Sequence, residues 1–208
     1  MVVSARVLIV DYGSGNINSV KRAVGRIGVD RVVSSLPDDI DRADKIIFPG
    51  VGHFGTAMAG LHERGLVEPL TRAVMVDKKP ILGICLGMEL MAATSEESAA
   101  RGLGWIDAET VRFRMSEHSQ YKIPHMGWNE VLVKKASRLM DGIDAGSEFY
   151  FAHAYHLSVN DQADVLSETV YETNFVSAIE RENIFGVQFH PEKSHDAGLR
   201  LLKNFIEM

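Results

Sequence analysis

The cysteine at position 85 is the residue of this chain best placed for nucleophilic chemistry. It lies in the run G-I-C-L-G, directly after the apolar segment 80–84 and directly before a helix-like segment. This form, G-x-nucleophile-x-G at a strand-to-helix turn, requires small residues such as Gly83 and Gly87 around the nucleophile. We expect the helix start to favour the Cys85 thiolate and the amide of Leu86 to face a developing oxyanion. The alternative is a buried cysteine that only packs as a small hydrophobe.

A thiol needs a base, because only a few per cent of an unperturbed thiol is ionised at neutral pH. The run F-H-P-E ends an apolar segment and places His190 at a predicted strand end, with Glu192 two residues later. In an extended segment these side chains project to one side, so Glu192 can orient the imidazole. The alternatives are a solvated strand end, or one of the rival bases His153 and His156. The spacing of those two histidines lacks a nearby third ligand, and we predict no metal site.

The glycine-rich run P-G-V-G at positions 49–52 follows another predicted buried strand. Glycines let backbone amides approach a ligand closely, which predicts a second oxyanion donor from Val51 or Gly52. The alternative is an ordinary tight turn. His53 is interpreted as structural, and the run D-Y-G-S-G-N at positions 11–16 matches no nucleotide-binding motif.

The order of elements predicts how these residues are brought together. The first half alternates short apolar strands with helices, which is typical of a parallel sheet covered on both faces. The strands are predicted at 7–10, 31–34, 45–48 and 80–84, and the helices after residue 16, at 56–63, 67–76 and 87–93. The second half predicts hairpins, with extended segments at 105–113, 129–133, 148–153, 163–171, 175–179 and 184–189, before a helix at 196–205. We therefore predict one α/β domain over residues 1–208, with a mixed, mostly parallel sheet and an antiparallel extension.

Composition excludes several classes of protein. The net charge is -6, and no basic cluster suggests a nucleic acid or a membrane surface as partner. One cysteine excludes an internal disulfide and a four-thiolate zinc site. The apolar N-terminal run meets Asp11, too early for a signal peptide or a spanning helix. We expect a soluble cytoplasmic protein.

Several motifs together resemble a known family. P-G-V-G, G-I-C-L-G and F-H-P-E resemble the oxyanion loop, nucleophile elbow and His–Glu pair of the class I, triad-type glutamine amidotransferases. D-Y-G-S-G-N-I, P-G-V-G-H-F-G, S-E-E, G-L-G-W-I, P-H-M-G-W-N-E-V and G-V-Q-F-H-P-E-K-S are similar to the glutaminase subunits of imidazole glycerol phosphate synthase, over about residues 5–207. The resemblance implies a flavodoxin-like amidotransferase fold and no cofactor.

The resemblance also implies a function for this chain and a role for each matched residue. Cys85, His190 and Glu192 would hydrolyse L-glutamine, and the ammonia would pass to a (β/α)₈-barrel cyclase subunit in histidine biosynthesis. The oxyanion would be bound by backbone at Leu86 and at Val51 or Gly52, after a rearrangement of the valine peptide. Matched substrate positions are Gly50, Gly52, Glu89, Glu97 and Tyr155, and matched partner-interface positions are Trp128, Tyr150 and Lys193. The alternatives are core aromatics at 128 and 150 and a helix-end charge at 97.

Glu89 departs from the family pattern, which has glutamine at this position; Ala154 is a smaller departure. A carboxylate only accepts hydrogen bonds, and its charge raises the pKa of a nearby thiol. Several interpretations therefore stay open. Glu89 is tolerated and the implied function holds, or Glu89 weakens glutamine hydrolysis. Alternatively, the chain is a paralogue that supplies ammonia for sugar-nucleotide modification, or a non-catalytic scaffold that only binds the barrel. A stand-alone cysteine hydrolase is a further class, which would need no partner.

Overall fold

A computed structural model of the chain describes residues 5–208 and is built on an 11-stranded mixed sheet. The strands are β1 (Val7–Val10), β2 (Arg31–Ser34), β3 (Lys45–Gly50), β4 (Ile81–Cys85), β5 (Thr94–Ser95), β6 (Ala108–Arg112), β7 (His125–Glu130), β8 (Leu132–Val133), β9 (Glu148–His153), β10 (Tyr155–Val159), β11 (Val165–Tyr171), β12 (Thr173–Arg181) and β13 (Ile184–Val187). The order along the sheet is β2-β1-β3-β4-β13-β12-β10-β6-β5, with β11 paired to β12 and β8. Strands β7 and β9 form a separate antiparallel pair.

The parallel half confirms the prediction for β1 to β4 and also includes β13, which was predicted among the hairpin segments. Strands β2, β1, β3, β4 and β13 are parallel neighbours. Every residue of β1, β3, β4 and β13 is buried. Because both faces are covered, these strands do not alternate, and Lys45 is their one charged residue. Their carboxyl ends meet at one edge of the sheet, which brings together the segments after residues 10, 50, 84 and 187.

The antiparallel half was predicted less well. Strand β10 was not predicted, and the extended segment predicted at 129–133 divides into β7, which begins at His125, and β8. The segment predicted at 105–113 is shorter, as β6. Strand β9 has the predicted bounds, and β11, β12 and β13 lie where extended segments were predicted, with shifted ends.

The helices are α1 (Ile17–Ile27), α2 (Pro37–Arg42), α3 (Phe54–Glu63), α4 (Val67–Thr71), α5 (Leu86–Glu89) and α6 (His195–Glu207), and Arg72–Val76 continues α4 as a π-helical turn. Helix α2 was not predicted, and α5 is shorter than the predicted 87–93. The carbonyl groups of residues 90–93 accept hydrogen bonds from the amides of residues 102–106. These backbone partners replace the intrahelical bonds that a longer helix needs.

The sheet separates two apolar layers. One layer packs α2, α3 and α4 against side chains such as Phe48 and Trp105, and the other packs α1 and α6 against side chains such as Ile84 and Phe189. The elements that carry the predicted site are therefore held from both sides. Among residues 5–208, no helix is long and apolar enough to cross a membrane.

Candidate active site

Cys85 occupies a strained turn between β4 and α5. Its backbone has φ 52 and ψ -114, a region that L-residues rarely adopt. A Cβ atom at Gly83 would lie 2.8 Å from the amide nitrogen of Met88, and one at Gly87 would lie 1.8 Å from the carbonyl oxygen of Phe48. Close backbone contacts thus explain why the elbow needs glycine at both positions.

The parallel pairing of β4 with β13 brings the predicted base to the nucleophile's side of the sheet. Ile84 and Val187 are register partners, so Cys85 and His190 follow neighbouring strand ends. The distance from His190 Nδ1 to Glu192 Oε1 is 2.9 Å, and the two side chains are 2% and 0% exposed. The expected extended backbone is wrong, because a short 3₁₀ helix starts at Pro191, yet the pair still forms. With Nδ1 bound to the carboxylate, Nε2 is the nitrogen left for proton transfer.

Asn16 contacts the same carboxylate and was not predicted to do so. It occupies the N-cap position of α1, but its side chain makes no capping hydrogen bond there. Its Nδ2 instead donates to Glu192 Oε1 at 3.1 Å, across 176 residues of sequence. Glu192 therefore receives hydrogen bonds from two residues on its Oε1 atom, while its buried Oε2 atom has no partner in the described part of the chain.

We expect Asn16→Ala to lower kcat for glutamine hydrolysis by roughly three- to tenfold, since one charge-assisted hydrogen bond is lost. The matched control is Asn18→Ala, which removes the same side chain from an exposed position of α1. Steady-state glutamate release by both variants measures the difference. Equal activity of the two variants would show that Asn16 does not hold Glu192 for catalysis.

A tyrosine side chain holds the carboxyl end of β3, from which the glycine-rich loop continues. The Tyr12 hydroxyl donates to the carbonyl oxygen of Pro49 at 2.8 Å and lies 2.4 Å from where a Gly50 Cβ would be. Gly52 has φ 110, so its backbone favours glycine. His53 caps α3, its Nδ1 accepting from the Gly55 amide at 3.1 Å, as its structural interpretation predicted.

A cavity of about 320 Å³ opens over the elbow. From the predicted set it is lined by Val51, Gly52, Cys85, Leu86, Glu89, Glu97 and Tyr155. Gly50 lies behind the cavity wall, against Leu86 and the Gly87 amide. The Oε2 atom of Glu97 accepts from the Phe54 amide at 2.7 Å, which holds its carboxylate at the rim. Most predicted substrate positions are therefore brought to one space beside the thiol.

The electrostatics around the thiol contradict the expected resting thiolate. Burial, and secondly the carboxyl group of Glu89, raise the pKa of Cys85, whereas the hydrogen bond from the Leu86 amide lowers it. The first two effects exceed the third, so the neutral thiol is the resting form. Gln188, which was not predicted, places its Nε2 3.9 Å from Cys85 Sγ and 2.8 Å from Glu89 Oε1.

The rival histidines form a buried neutral cluster. The Nδ1 atom of His153 lies 2.7 Å from the carbonyl oxygen of Tyr155, and its Nε2 lies 3.0 Å from His125 Nδ1. Burial lowers the pKa of His125 to about 4 and also lowers those of His153 and His156. Since both nitrogens of His153 are engaged, it is a poor candidate for the base. Among residues 5–208, no three His, Cys, Asp or Glu side chains converge as a metal site.

The three predicted interface residues lie near each other. Trp128 is 43% exposed and stacks on His195 with ring centroids 4.8 Å apart. The Lys193 ammonium lies over the Tyr150 ring, 5.4 Å from its centroid, and Tyr150 meets Trp128 edge-on at 6.0 Å. We call Trp128, Tyr150, Lys193 and His195 the aromatic surface. Trp128 is thus not a core aromatic, contrary to the alternative reading of that residue.

The chain is similar to known proteins over nearly its whole length. The family model described as glutamine amidotransferase class-I matches residues 8–208. The chain belongs to the class-I glutamine amidotransferase family. It is 46% identical to "Imidazole glycerol phosphate synthase subunit HisH 2" of Methanococcus maripaludis, over 97% of this chain and 98% of that protein. It is 44% identical to the protein of the same name from Pseudomonas aeruginosa, over 97% and 99%.

Solved structures of this family share the fold. The structure titled "Structure of PurLQS from Thermotoga maritima" superposes with a TM-score of 0.76 at 17% identity, covering 99% of each chain. At that identity the likeness shows the fold alone. The class I amidotransferase fold, with its large mixed sheet, is therefore confirmed.

Proposed function

We propose that this chain is the glutaminase subunit of an imidazole glycerol phosphate synthase. The observation that carries the proposal is the placement of Cys85 on a strained elbow beside the buried His190–Glu192 pair, at the ends of neighbouring parallel strands. A nucleophile, a base and an orienting carboxylate are the groups that acyl transfer to a thiol requires. The similarity to proteins named as this synthase's HisH subunit supports the same conclusion.

The first chemical step follows from the neutral thiol. Because its pKa is raised, Cys85 loses its proton to His190 Nε2 while Sγ attacks the carboxamide carbon of glutamine. The carbonyl oxygen then carries negative charge and accepts from the Leu86 amide, with the backbone of Val51 or Gly52 as second donor. Glu192 stabilises the imidazolium through Nδ1.

The second step releases ammonia and restores the enzyme. His190 returns its proton to the leaving nitrogen as the carbon–nitrogen bond breaks, which leaves a glutamyl thioester on Cys85. Water then attacks the thioester carbon, His190 accepts the water's proton, and glutamate leaves as Sγ regains a proton. Glu97 at the cavity rim carries the charge that suits the α-ammonium group of glutamine.

The ammonia needs an acceptor site outside this chain. We propose that a (β/α)₈-barrel cyclase subunit docks on the aromatic surface, whose exposed tryptophan is typical of interface anchors. Met126, 65% exposed, and Val51, 37% exposed, lie at the mouth of the cavity and would be covered with it. Such docking encloses the cavity, so that ammonia reaches the partner and not bulk water.

One observation favours a second candidate, a scaffold that binds the barrel without hydrolysing glutamine. The carboxyl group of Glu89 is buried beside the nucleophile and raises the pKa of Cys85. A permanently charged Glu89 would oppose attack by the thiol, and the partner would then have to use free ammonia.

We expect glutamate release by the purified chain to rise at least about tenfold when the barrel cyclase and its nucleotide substrate are both added, a size typical of coupling between two sites. The resting thiol and the open cavity of the isolated chain are the physical reasons for a low basal rate. Glutamate release is followed with an enzyme-coupled assay at fixed glutamine.

Four outcomes separate the candidates. A rise that needs the partner supports the proposal. Release at background level under all conditions, with cyclase activity on added ammonium chloride, supports the scaffold. Full release without the partner supports a stand-alone hydrolase. If glutamate is released only with a different barrel protein, the chain supplies ammonia to another acceptor, as a paralogue for sugar-nucleotide modification would.

A further inference from the structure

Glu89 is the one carboxyl group on the short helix that follows the nucleophile. Its side chain is 5% exposed, and its Oε1 accepts from Gln188 Nε2 at 2.8 Å. The same Nε2 lies 3.9 Å from Cys85 Sγ. An amide nitrogen has two hydrogens, so Gln188 serves both the carboxyl group and the sulfur. Glu89, Gln188 and Cys85 therefore form one buried group at the floor of the cavity.

The groups that face this floor supply no compensating positive charge. The Tyr12 phenol after β1 and the Cys85 thiol at the end of β4 are both buried and neutral, and both are close enough to Glu89 for electrostatic coupling. From the segment after β5 comes the carboxyl group of Glu97. On the β9 side is His153, held neutral by burial.

The segment after β13 contributes His190, already paired with Glu192, whose carboxylate also acts on the Cys85 thiol. Strand β6 contributes only Thr110, whose hydroxyl donates to the Glu89 backbone. In the described part of the chain, no lysine or arginine pairs with the Glu89 carboxyl. A buried carboxylate in such surroundings is costly, and a buried neutral acid is not.

We propose that Glu89 is a substrate-binding residue that works as a neutral carboxylic acid, and that its ionisation at alkaline pH switches off glutamine hydrolysis. The proposal deepens the proposed function and rests on it. The electrostatics around Glu89 favour the neutral acid. Burial raises the pKa of Glu89 to about 8, Glu97 raises it further, and the hydrogen bond from Gln188 lowers it.

A neutral acid suits the substrate better than a carboxylate does. Because Gln188 donates to Oε1, the proton lies on Oε2. The group then offers one O–H donor and one carbonyl acceptor, and the carboxamide of glutamine needs both kinds of partner. A neutral Glu89 also removes the charge that opposes proton loss from Cys85. Ionisation reverses both effects at once.

The first test is the pH profile of kcat/KM for glutamate release by the complex with the barrel cyclase, from pH 7 to 9, where the imidazole base and the α-ammonium group of glutamine change little. We expect the wild-type value to fall by up to about tenfold for each pH unit above about 8, and Glu89→Gln to stay within about twofold across that range. The matched control is Glu109→Gln, an exposed carboxylate on β6, which should keep the wild-type decline. A decline that persists unchanged in Glu89→Gln would overturn the proposal.

The second test measures the ionisation of Glu89 through protein stability and needs no activity assay. A carboxyl group whose folded-state pKa is raised from 4.5 to about 8 makes the wild type lose stability as pH rises between those values. Glu89→Gln lacks this loss, so its Tm advantage should grow by about 8 °C or more from pH 5 to pH 9. Glu109→Gln should show no such growth.

The two readouts separate failure of the proposal from failure of the proposed function. An advantage of Glu89→Gln that is equal at pH 5 and pH 9 would show a charged Glu89 and overturn the proposal. If no chain hydrolyses glutamine at any pH, the proposed function fails. The switch on hydrolysis then fails with it, and the stability measurement still shows whether Glu89 is held neutral.

Discussion

Cys85→Ala is expected to lower glutamate release by about 10⁴-fold or more, the size of effect seen when the nucleophile of an acyl-transfer enzyme is removed. No described neighbour can replace it, since Cys85 is the single cysteine of the chain. Alanine keeps a Cβ at the strained φ of 52, so the elbow backbone should tolerate the change. The loss should therefore lie in kcat and not in folding.

The measurement compares two nitrogen sources in the complex with the barrel cyclase. With glutamine, product formation by Cys85→Ala should fall to background. With added ammonium chloride it should match the wild type, because free ammonia bypasses the thiol. A thermal melt within about 3 °C of the wild type, roughly 1 kcal/mol for a chain of this size, shows that the fold is intact. Unchanged glutamate release would place the nucleophile elsewhere and refute the triad.

The elbow was predictable from sequence because its determinants are local. Five apolar residues, two glycines and a cysteine lie within eight positions, and their types encode a buried strand, a tight turn and a nucleophile. The His190–Glu192 pair is also local, two residues apart, although its backbone is a 3₁₀ turn and not a strand. Parallel pairing of β4 with β13 then brings the two local motifs together, although the segment that forms β13 was predicted among the hairpin strands.

The supporting residues were not predictable because their contacts are distant in sequence. Asn16 reaches Glu192 across 176 residues, Tyr12 reaches Pro49 across 37, and Gln188 reaches Glu89 across 99. From the sequence alone, Asn16 looks like a helix cap, Tyr12 like a core aromatic residue and Gln188 like a polar residue of a strand. The raised pKa of Glu89 was not predictable for the same reason, since burial by the whole fold causes it.

The missed elements have different explanations. Strand β10 consists of Y-H-L-S-V, in which only Leu157 and Val159 are buried, so its alternation of apolar and polar residues is too short to predict a strand. Helix α5 ends early because the 102–106 segment supplies backbone donors, which no helix-propensity argument detects. Tertiary hydrogen bonds decided the end of this helix.

Gly87→Ala is expected to destabilise the fold by about 3 kcal/mol, the upper range for forcing atoms into a packed site. The added Cβ would lie 1.8 Å from the carbonyl oxygen of Phe48, a backbone atom that cannot rotate away. Relief requires α5 to move from β3. Because β3 leads into the loop at Val51, the same movement separates the two predicted oxyanion donors. Glutamate release by this variant should therefore be lower than that of the wild type even at temperatures at which both are folded.

Gly25→Ala is the matched control, since it also adds a methyl group to a helical glycine. Its Cβ would meet only the guanidinium end of Arg31, a flexible side chain that can shift. Alanine is the better helix former by about 1 kcal/mol, so we expect this variant to lie within about 1 kcal/mol of the wild type. Urea unfolding of both variants gives the comparison. Equal stability of the two would mean that α5 can move away from Phe48 at little cost, and that the elbow does not depend on a glycine at position 87.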